Sequence, residues 1–275
     1  MSGSDRKTRR LKIIVFIWPI AFVLFCVYMK IYYQSTFRNM LKEDAMIENL
    51  TCVAFLVGAG FAFSVARRFF KSHHAVYGSL YVVAFLFLFF VGMEEISWGQ
   101  RIFHAKTPEY LIERNQQEET NVHNLYGLHA VMSSAYYLIG FIGMCSWVLL
   151  HFRKVKNLGI KLKYFIPDWY LSLYFFFSFS IAFYLKVATS MGWLGFLDWR
   201  DTEAGEMLMS FGFCLFMVAA RNRLFQEVRS EQAALETTFP DLQATICETE
   251  VTLDRHRERD RGRPVLTVQS SASDQ

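Results

Sequence analysis

The residues able to do chemistry lie in a few short polar stretches within an apolar sequence. The densest is Glu94-Glu95-Ile96-Ser97-Trp98-Gly99-Gln100-Arg101. On a continued helix Glu94, Ser97, Trp98 and Arg101 fall at i, i+3, i+4 and i+7 and share one face. Two adjacent carboxylates at a membrane boundary are costly unless paired, protonated or bound to a cation. Glu94 and Glu95 therefore suit acid–base work or cation binding, Ser97 is a candidate nucleophile, and Arg101 suits a substrate phosphate or carboxylate. The bland alternative is a helix end with interfacial charges.

A second stretch is Glu118-Glu119-Thr120-Asn121-Val122-His123-Asn124-Leu125. Glu119 and His123 are spaced i, i+4, which fits a metal pair, an acid–base pair or a hydrogen-bonded structural histidine. A third is Asp198-Trp199-Arg200-Asp201-Thr202-Glu203-Ala204-Gly205-Glu206, with Glu203 and Glu206 at i, i+3 and Ser210 one turn on. Lys186 is the expected counter-ion of Glu206, and such a Lys–Glu bridge fixing helix packing is the structural alternative. Glu43-Asp44 with Glu48 forms a weaker fourth cluster, because early acidic residues also favour a helix N-terminus.

These stretches must be positioned by membrane helices. Crossing about 30 Å of hydrocarbon takes about 20 apolar residues. Six runs qualify: Lys12–Tyr33, Ile47–Ala66, Ala75–Met93, Leu128–His151, Tyr164–Ala188 and Glu206–Ala220, the last short enough that its helix is expected to extend. The first run is too long for a signal-peptide core and lacks a small-x-small cleavage site. Apolar residues make up 53% of the 275 residues and charged ones only 20%, below the roughly 25% of soluble domains. That excludes an ordinary soluble domain, a nucleic-acid binder and a disordered protein. The expected fold is an all-α polytopic bundle.

Orientation follows from the basic residues. Arg6, Lys7, Arg9, Arg10 and Lys12 precede the first run; Arg67, Arg68 and Lys71 lie between the second and third; Arg153, Lys154, Lys156, Lys161 and Lys163 lie between the fourth and fifth; eight Arg follow the sixth. Both termini are therefore expected in the cytoplasm, and all the carboxylate clusters at the outer face. The net charge of +4 is the difference between a basic inside and an acidic outside. The expected organisation is a cytoplasmic N-terminus (residues 1–11), a six-helix domain (12–223) with an outer loop at 101–127, and a polar cytoplasmic tail (224–275); Arg221–Glu236 is expected to continue the last helix and the rest of the tail to be disordered. Thr107-Pro108-Glu109 reads as a helix start with Pro at its first position, predicting a short amphipathic helix over Pro108–Asn115. Cys26, Cys52, Cys145 and Cys214 read as small buried hydrophobes, and no Cys/His spacing suggests a zinc site.

Carboxylates from four segments at one end would repel, and a divalent cation would neutralise them. A set drawn from Glu94, Glu119, His123, Glu203 and Glu206 suits Mg²⁺, Mn²⁺, Zn²⁺ or iron, and the sequence leaves the choice open. A GxGxxG loop, P-loop, HExxH pair and GxSxG elbow are all absent.

The run from Glu94 through Phe103, then Thr107-Pro108-Glu109, then Glu119-Thr120-Asn121-Val122-His123-Asn124-Leu125, resembles a group of uncharacterised bacterial polytopic membrane proteins. Glu43-Asp44 and Glu48-Asn49-Leu50-Thr51 resemble the start of that group's second span. Where the group often has Gly next to Glu119, this chain has Glu118. The resemblance covers about residues 43–130 and implies a multi-pass protein of the bacterial inner membrane, with no chemistry attached. Three functions compete: an outer-face hydrolase or transferase acting on a lipid or lipid-linked substrate; a non-catalytic component of a membrane complex; and an ion-coupled transporter, which the nearly charge-free middles of the spans disfavour. Membrane lipid is the expected partner in each.

Overall fold

The computed structural model describes residues 3–42, 45–100, 103–113, 120–121, 125, 129–152, 162–193 and 195–238. Among them the regular elements are helical: α1 (Gly3–Tyr32), α2 (Gln34–Met40), α3 (Met46–Lys71), α4 (Ala75–Glu95), α5 (Glu109–Ile112), α6 (His129–Cys145), α7 (Ser172–Ser190) and α8 (Asp201–Thr238), joined in places by 3-10 turns. Six stretches are long and apolar enough to cross a membrane: Arg6–Tyr32, Met46–Lys71, Ala75–Glu95, Ser134–His151, Leu162–Ser190 and Asp201–Ala234. The chain is a multi-pass, all-α membrane protein. The last helix begins at Asp201, ahead of the apolar run that marks it in sequence, and continues through Arg221–Glu236 to Thr238. The chain divides into two units, Met1–Leu224 and Phe225–Gln275, and everything below concerns the first.

Helices α3 and α4 form a hairpin. Its turn works because His73 takes a left-handed conformation (φ 57°), letting His73 N–H reach the Phe70 carbonyl at 3.1 Å and His74 N–H the Phe69 carbonyl at 2.9 Å. This is the Schellman pattern, with His where Gly is usual, and it satisfies carbonyls that a helix end leaves open.

Lipid tails are as apolar as leucine, so helices in a membrane associate through close packing, and small residues permit it. Helix α3 buries Gly58, Ala59, Ala62 and Ala66. A Cβ on Gly58 would lie 3.3 Å from the Cys214 Cα, so the α3 and α8 backbones nearly touch there. Phe175 of α7 fills a notch left by Gly143 of α6 and Gly212 of α8, and meets Phe213 edge-on at 5.4 Å. The core thus runs through α3, α4, α7 and α8, with Phe69, Tyr81, Tyr164, Phe175 and Leu208 almost wholly enclosed. Helix α1 lies at the edge, with Ile14 and Leu24 outward. Pro19 interrupts its hydrogen-bond ladder, yet the residue is fully buried. Of the cysteines expected to be buried, Cys52 is, and Cys26, Cys145 and Cys214 are partly so.

A second cluster fixes the start of α8. Phe37 of α2, Leu41 and Ile47 pack on Ala204 and Met207. The break at Tyr33 (φ −134°, ψ 47°) separates α1 from α2 and lets α2 reach this position.

The Phe175 notch generates a stability prediction. A Cβ on Gly143 would meet the Phe175 ring at 2.4–2.9 Å, whereas one on Gly60 meets nothing within 4 Å. Gly143→Ala is expected to destabilise by about 1–3 kcal/mol. Gly60→Ala is expected to be neutral or slightly stabilising, with both read from thermal unfolding in detergent.

Candidate functional site

The expected continuation of the third-span helix through Arg101 does not form. Helix α4 stops at Glu95, and Ser97, Trp98 and Gly99 follow with φ of 45°, 57° and 75°. Three successive left-handed residues reverse the chain. Glycine takes this conformation freely, while each L-residue with a side chain costs roughly 1–2 kcal/mol there. Short backbone bonds hold the turn: Gly99 N–H to Ile96 O at 2.8 Å, Gln100 N–H to Ser97 O at 3.0 Å, and Phe103 N–H to Gly99 O at 2.9 Å. Glu94 and Trp98 therefore meet by reversal instead of by helical periodicity, and Trp98 Nε1–H donates to Glu94 Oε1 at 2.5 Å. Glu94 is buried, with 4% of its surface exposed.

Gln100 ties the outer loop together. Its Nε2 donates to Thr107 Oγ1 at 2.6 Å, and its Oε1 accepts from Thr120 N–H at 2.7 Å. Beside it, buried Asn121 donates from Nδ2 to Ser97 Oγ at 3.2 Å. Ser97 is itself buried, so its hydroxyl anchors the loop here. The three sequence stretches of the Glu94–Leu125 signature are thus stitched to one another. The short helix is a single turn, Glu109–Ile112; Pro108 is extended (ψ 139°) and caps it from outside, its carbonyl accepting from Leu111 N–H at 2.9 Å. Trp98, Phe103, Tyr110 and Ile112 expose apolar surface along this loop, which suits the headgroup layer of a bilayer.

The carboxylates converge from three helices. Glu95 of α4 lies within Coulombic range of Glu203, Glu48 and Glu94. Glu206 of α8 lies within range of Glu203, Glu95 and Glu48. Glu48, Glu95, Glu203 and Glu206 are all part-buried. At the effective dielectric of a protein near its surface, two like charges about 4 Å apart repel by about 4 kcal/mol. Protons, cations or neighbouring bases must offset this.

A fourth helix brings a hydroxyl. Tyr136 of α6 shares a short hydrogen bond with Ser178 of α7 and lies within range of Glu206, Glu95 and Glu203. Gly205 makes room for it, since a Cβ there would meet the Tyr136 oxygen at 3.2 Å and the Ser178 Cα at 3.5 Å. Neither Tyr136 nor Ser178 stands out in the sequence beyond being polar residues inside apolar spans, which is itself the available signal.

The expected counter-ion is corrected. Lys186 is exposed and sits over the Tyr137 ring at 4.9 Å, with no bridge to Glu206 among the described residues. Lys30 of α1 supplies a cation here instead: it pairs closely with Asp201 and at 3.4 Å with Asp198. The Asp201 carboxylate also accepts from Asp198 N–H at 2.6 Å. The reason is geometric, because the chain between α7 and α8 turns Asp198 and Asp201 toward α1.

No protein-family model, curated protein or solved structure matches the chain. Its site is therefore read from its own side chains. Glu94, Glu95, Ser97, Glu203 and Glu206 are brought to one end, together with Glu48. Arg101, Glu119 and His123, with Glu43, Asp44 and Glu118, lie outside the described residues. Among the described residues, no group of three or more His, Cys, Asp or Glu side chains is arranged to hold a metal.

Two outcomes test this geometry. Gln100→Ala removes both loop bonds and is expected to speed hydrogen exchange over residues 103–113 without changing exchange in the α3 core. Lys30→Met leaves Asp201, 6% exposed, without its cation. It should cost about 3–5 kcal/mol in thermal unfolding, much of which Lys30→Met with Asp201→Asn should restore.

Proposed function

We propose that the carboxylate end is the working site of an integral membrane enzyme, a metal-dependent hydrolase or transferase taking a lipid or lipid-linked substrate sideways from the bilayer. The observation that carries this reading is the gathering of Glu48, Glu95, Glu203 and Glu206 from three helices. The same end also contains a salt-bridged packing device, in which Asp198 and Asp201 are matched to Lys30. The glutamates are gathered with one another and with the Tyr136 hydroxyl.

The donor chemistry suits a hard divalent cation such as Mg²⁺ or Mn²⁺, for which carboxylate oxygens are the usual ligands. Glu94, Glu203 and Glu206 are not by themselves arranged to hold an ion, so a metal here would depend on Glu119 and His123 as well; with the imidazole included, Zn²⁺ or iron also fits. Such an ion, when bound, supplies a water acidic enough to attack near neutral pH. The protein's own groups do the rest. Glu95 takes and returns a proton. Tyr136, oriented by Ser178, donates to the departing oxygen. Glu94 is held in place by Trp98, and Arg101 anchors a phosphate or carboxylate on the substrate. The exposed aromatic residues of the loop rest among lipid headgroups, beside the route by which a lipid arrives. The distribution of Lys and Arg supports a non-cytoplasmic position for this end, in what the reading takes to be a bacterial inner membrane.

Elemental mass spectrometry of the detergent-purified chain tests the reading. Wild type is expected to carry a stoichiometric divalent metal, and monodisperse Glu203→Gln and Glu206→Gln are expected to lose it, together with release of water-soluble product from labelled lipid extracts. Metal-free wild type, with Gln variants that unfold at higher temperature than the parent, would sink it. The cluster would then be only a site of relieved repulsion.

A further inference from the structure

At the basic end of the bundle, a groove of about 420 Å³ runs between α3 and α4, lined by Phe63, Ala66, Arg67, Phe70, Lys71 and Val82. The five α3 residues form one stripe at i, i+3, i+4, i+7 and i+8. From Phe63 to Lys71 a helix rises about 12 Å. The groove therefore follows most of one leaflet, whose hydrocarbon is about 15 Å thick.

Its two ends differ in chemistry. The deep part is apolar: Phe63 packs on Phe85 at 5.5 Å between ring centres, and Ala66 leaves space between Phe63 and Phe70. The mouth carries Arg67 and Lys71, both exposed, and neither side chain has a hydrogen-bond or ion-pair partner among the described residues. Two other cations among the described residues of this end are occupied. Arg223 bridges Asp168 at 3.3 Å and bonds the Lys163 carbonyl, and Lys163 lies over the Tyr164 ring. The wall is shaped by Gly78, where a Cβ would come within 3.0 Å of the Phe70 ring.

We propose that this groove is a binding site for an anionic phospholipid. Because α3 and α4 span the bilayer, a groove open between them is filled by an acyl chain. The headgroup of that lipid then sits against two cations that have no countercharge of their own. A net negative headgroup answers both charges, whereas a zwitterionic one brings its own cation into the same space. Basic pockets between transmembrane helices select anionic lipids by this means. The site is independent of the carboxylate end and stands whether or not that end is catalytic.

Native mass spectrometry of the full chain, titrated with phosphatidylglycerol or phosphatidylcholine, tests it. Wild type is expected to bind phosphatidylglycerol the more tightly. Arg67→Gln together with Lys71→Gln should weaken that binding roughly tenfold or more and leave phosphatidylcholine unchanged. Lys7→Gln with Arg9→Gln, on α1, should leave both unchanged. Gly78→Leu, which pushes Phe70 into the groove, should weaken both lipids. Equal wild-type affinity for the two lipids overturns the proposal without any variant. So does an equal loss of phosphatidylglycerol in the α1 double variant, which would reduce the effect to general basicity.

Discussion

Carboxylates can be held near one another only where the helices that carry them are held more firmly than the charges push apart. In this protein the firmness comes from close backbone approach. Gly58 lets α3 and α8 nearly touch, and the Gly143–Phe175–Gly212 notch locks α6, α7 and α8. The packing of Phe37, Leu41 and Ile47 on Ala204 and Met207 then sets the first turn of α8 beside α3. The glutamates sit at the end of this clamped assembly, so their nearness is imposed on them. An imposed cluster of like charges is poised to take up protons or a cation, which is the property a membrane site built on Glu48, Glu95, Glu203 and Glu206 would use.

Much of the architecture could be read directly from the chain. Six apolar runs became six membrane-length helices because a single segment in lipid satisfies its own backbone only as a helix. The gathering of acidic segments at one end followed from counting crossings, and the structure brings Glu48, Glu95, Glu203 and Glu206 together. Local detail was less accessible. Helical periodicity put Ser97 and Trp98 on the face of Glu94, but Gly99 allows a left-handed reversal that no hydrophobic pattern announces. Lys186, near the outer end of the preceding span, was the expected partner of Glu206. Pairing across the bundle depends on which way a connecting segment turns, and that segment turns Asp198 and Asp201 to Lys30. Tyr136 and Ser178 were hidden among aromatic and small residues, where only the three-dimensional neighbourhood of Gly205 distinguishes them.

The two ends of the bundle handle charge in opposite ways. Among the described residues of the basic end, Arg223 is tied to Asp168 and Lys163 to an aromatic face, while Arg67 and Lys71 stand over a groove that opens to lipid. At the other end one lysine is tied down by two aspartates, and Glu48, Glu95, Glu203 and Glu206 lie within Coulombic range of one another. A bilayer with anionic lipids on the basic side would reinforce this asymmetry, since each surface then meets its opposite charge.

The side chain of Gln100 has a consequence for how the loop can move. A primary amide has one donating end and one accepting end. Thr120 presents a backbone N–H, which can only donate, so a half-turn of the amide would set two donors face to face. Its orientation is thereby unique, and Thr107 and Thr120 are coupled through one planar group. The two halves of the loop cannot loosen one at a time without leaving that amide half-satisfied. A molecule competing for either threonine would therefore weaken the hold on the other.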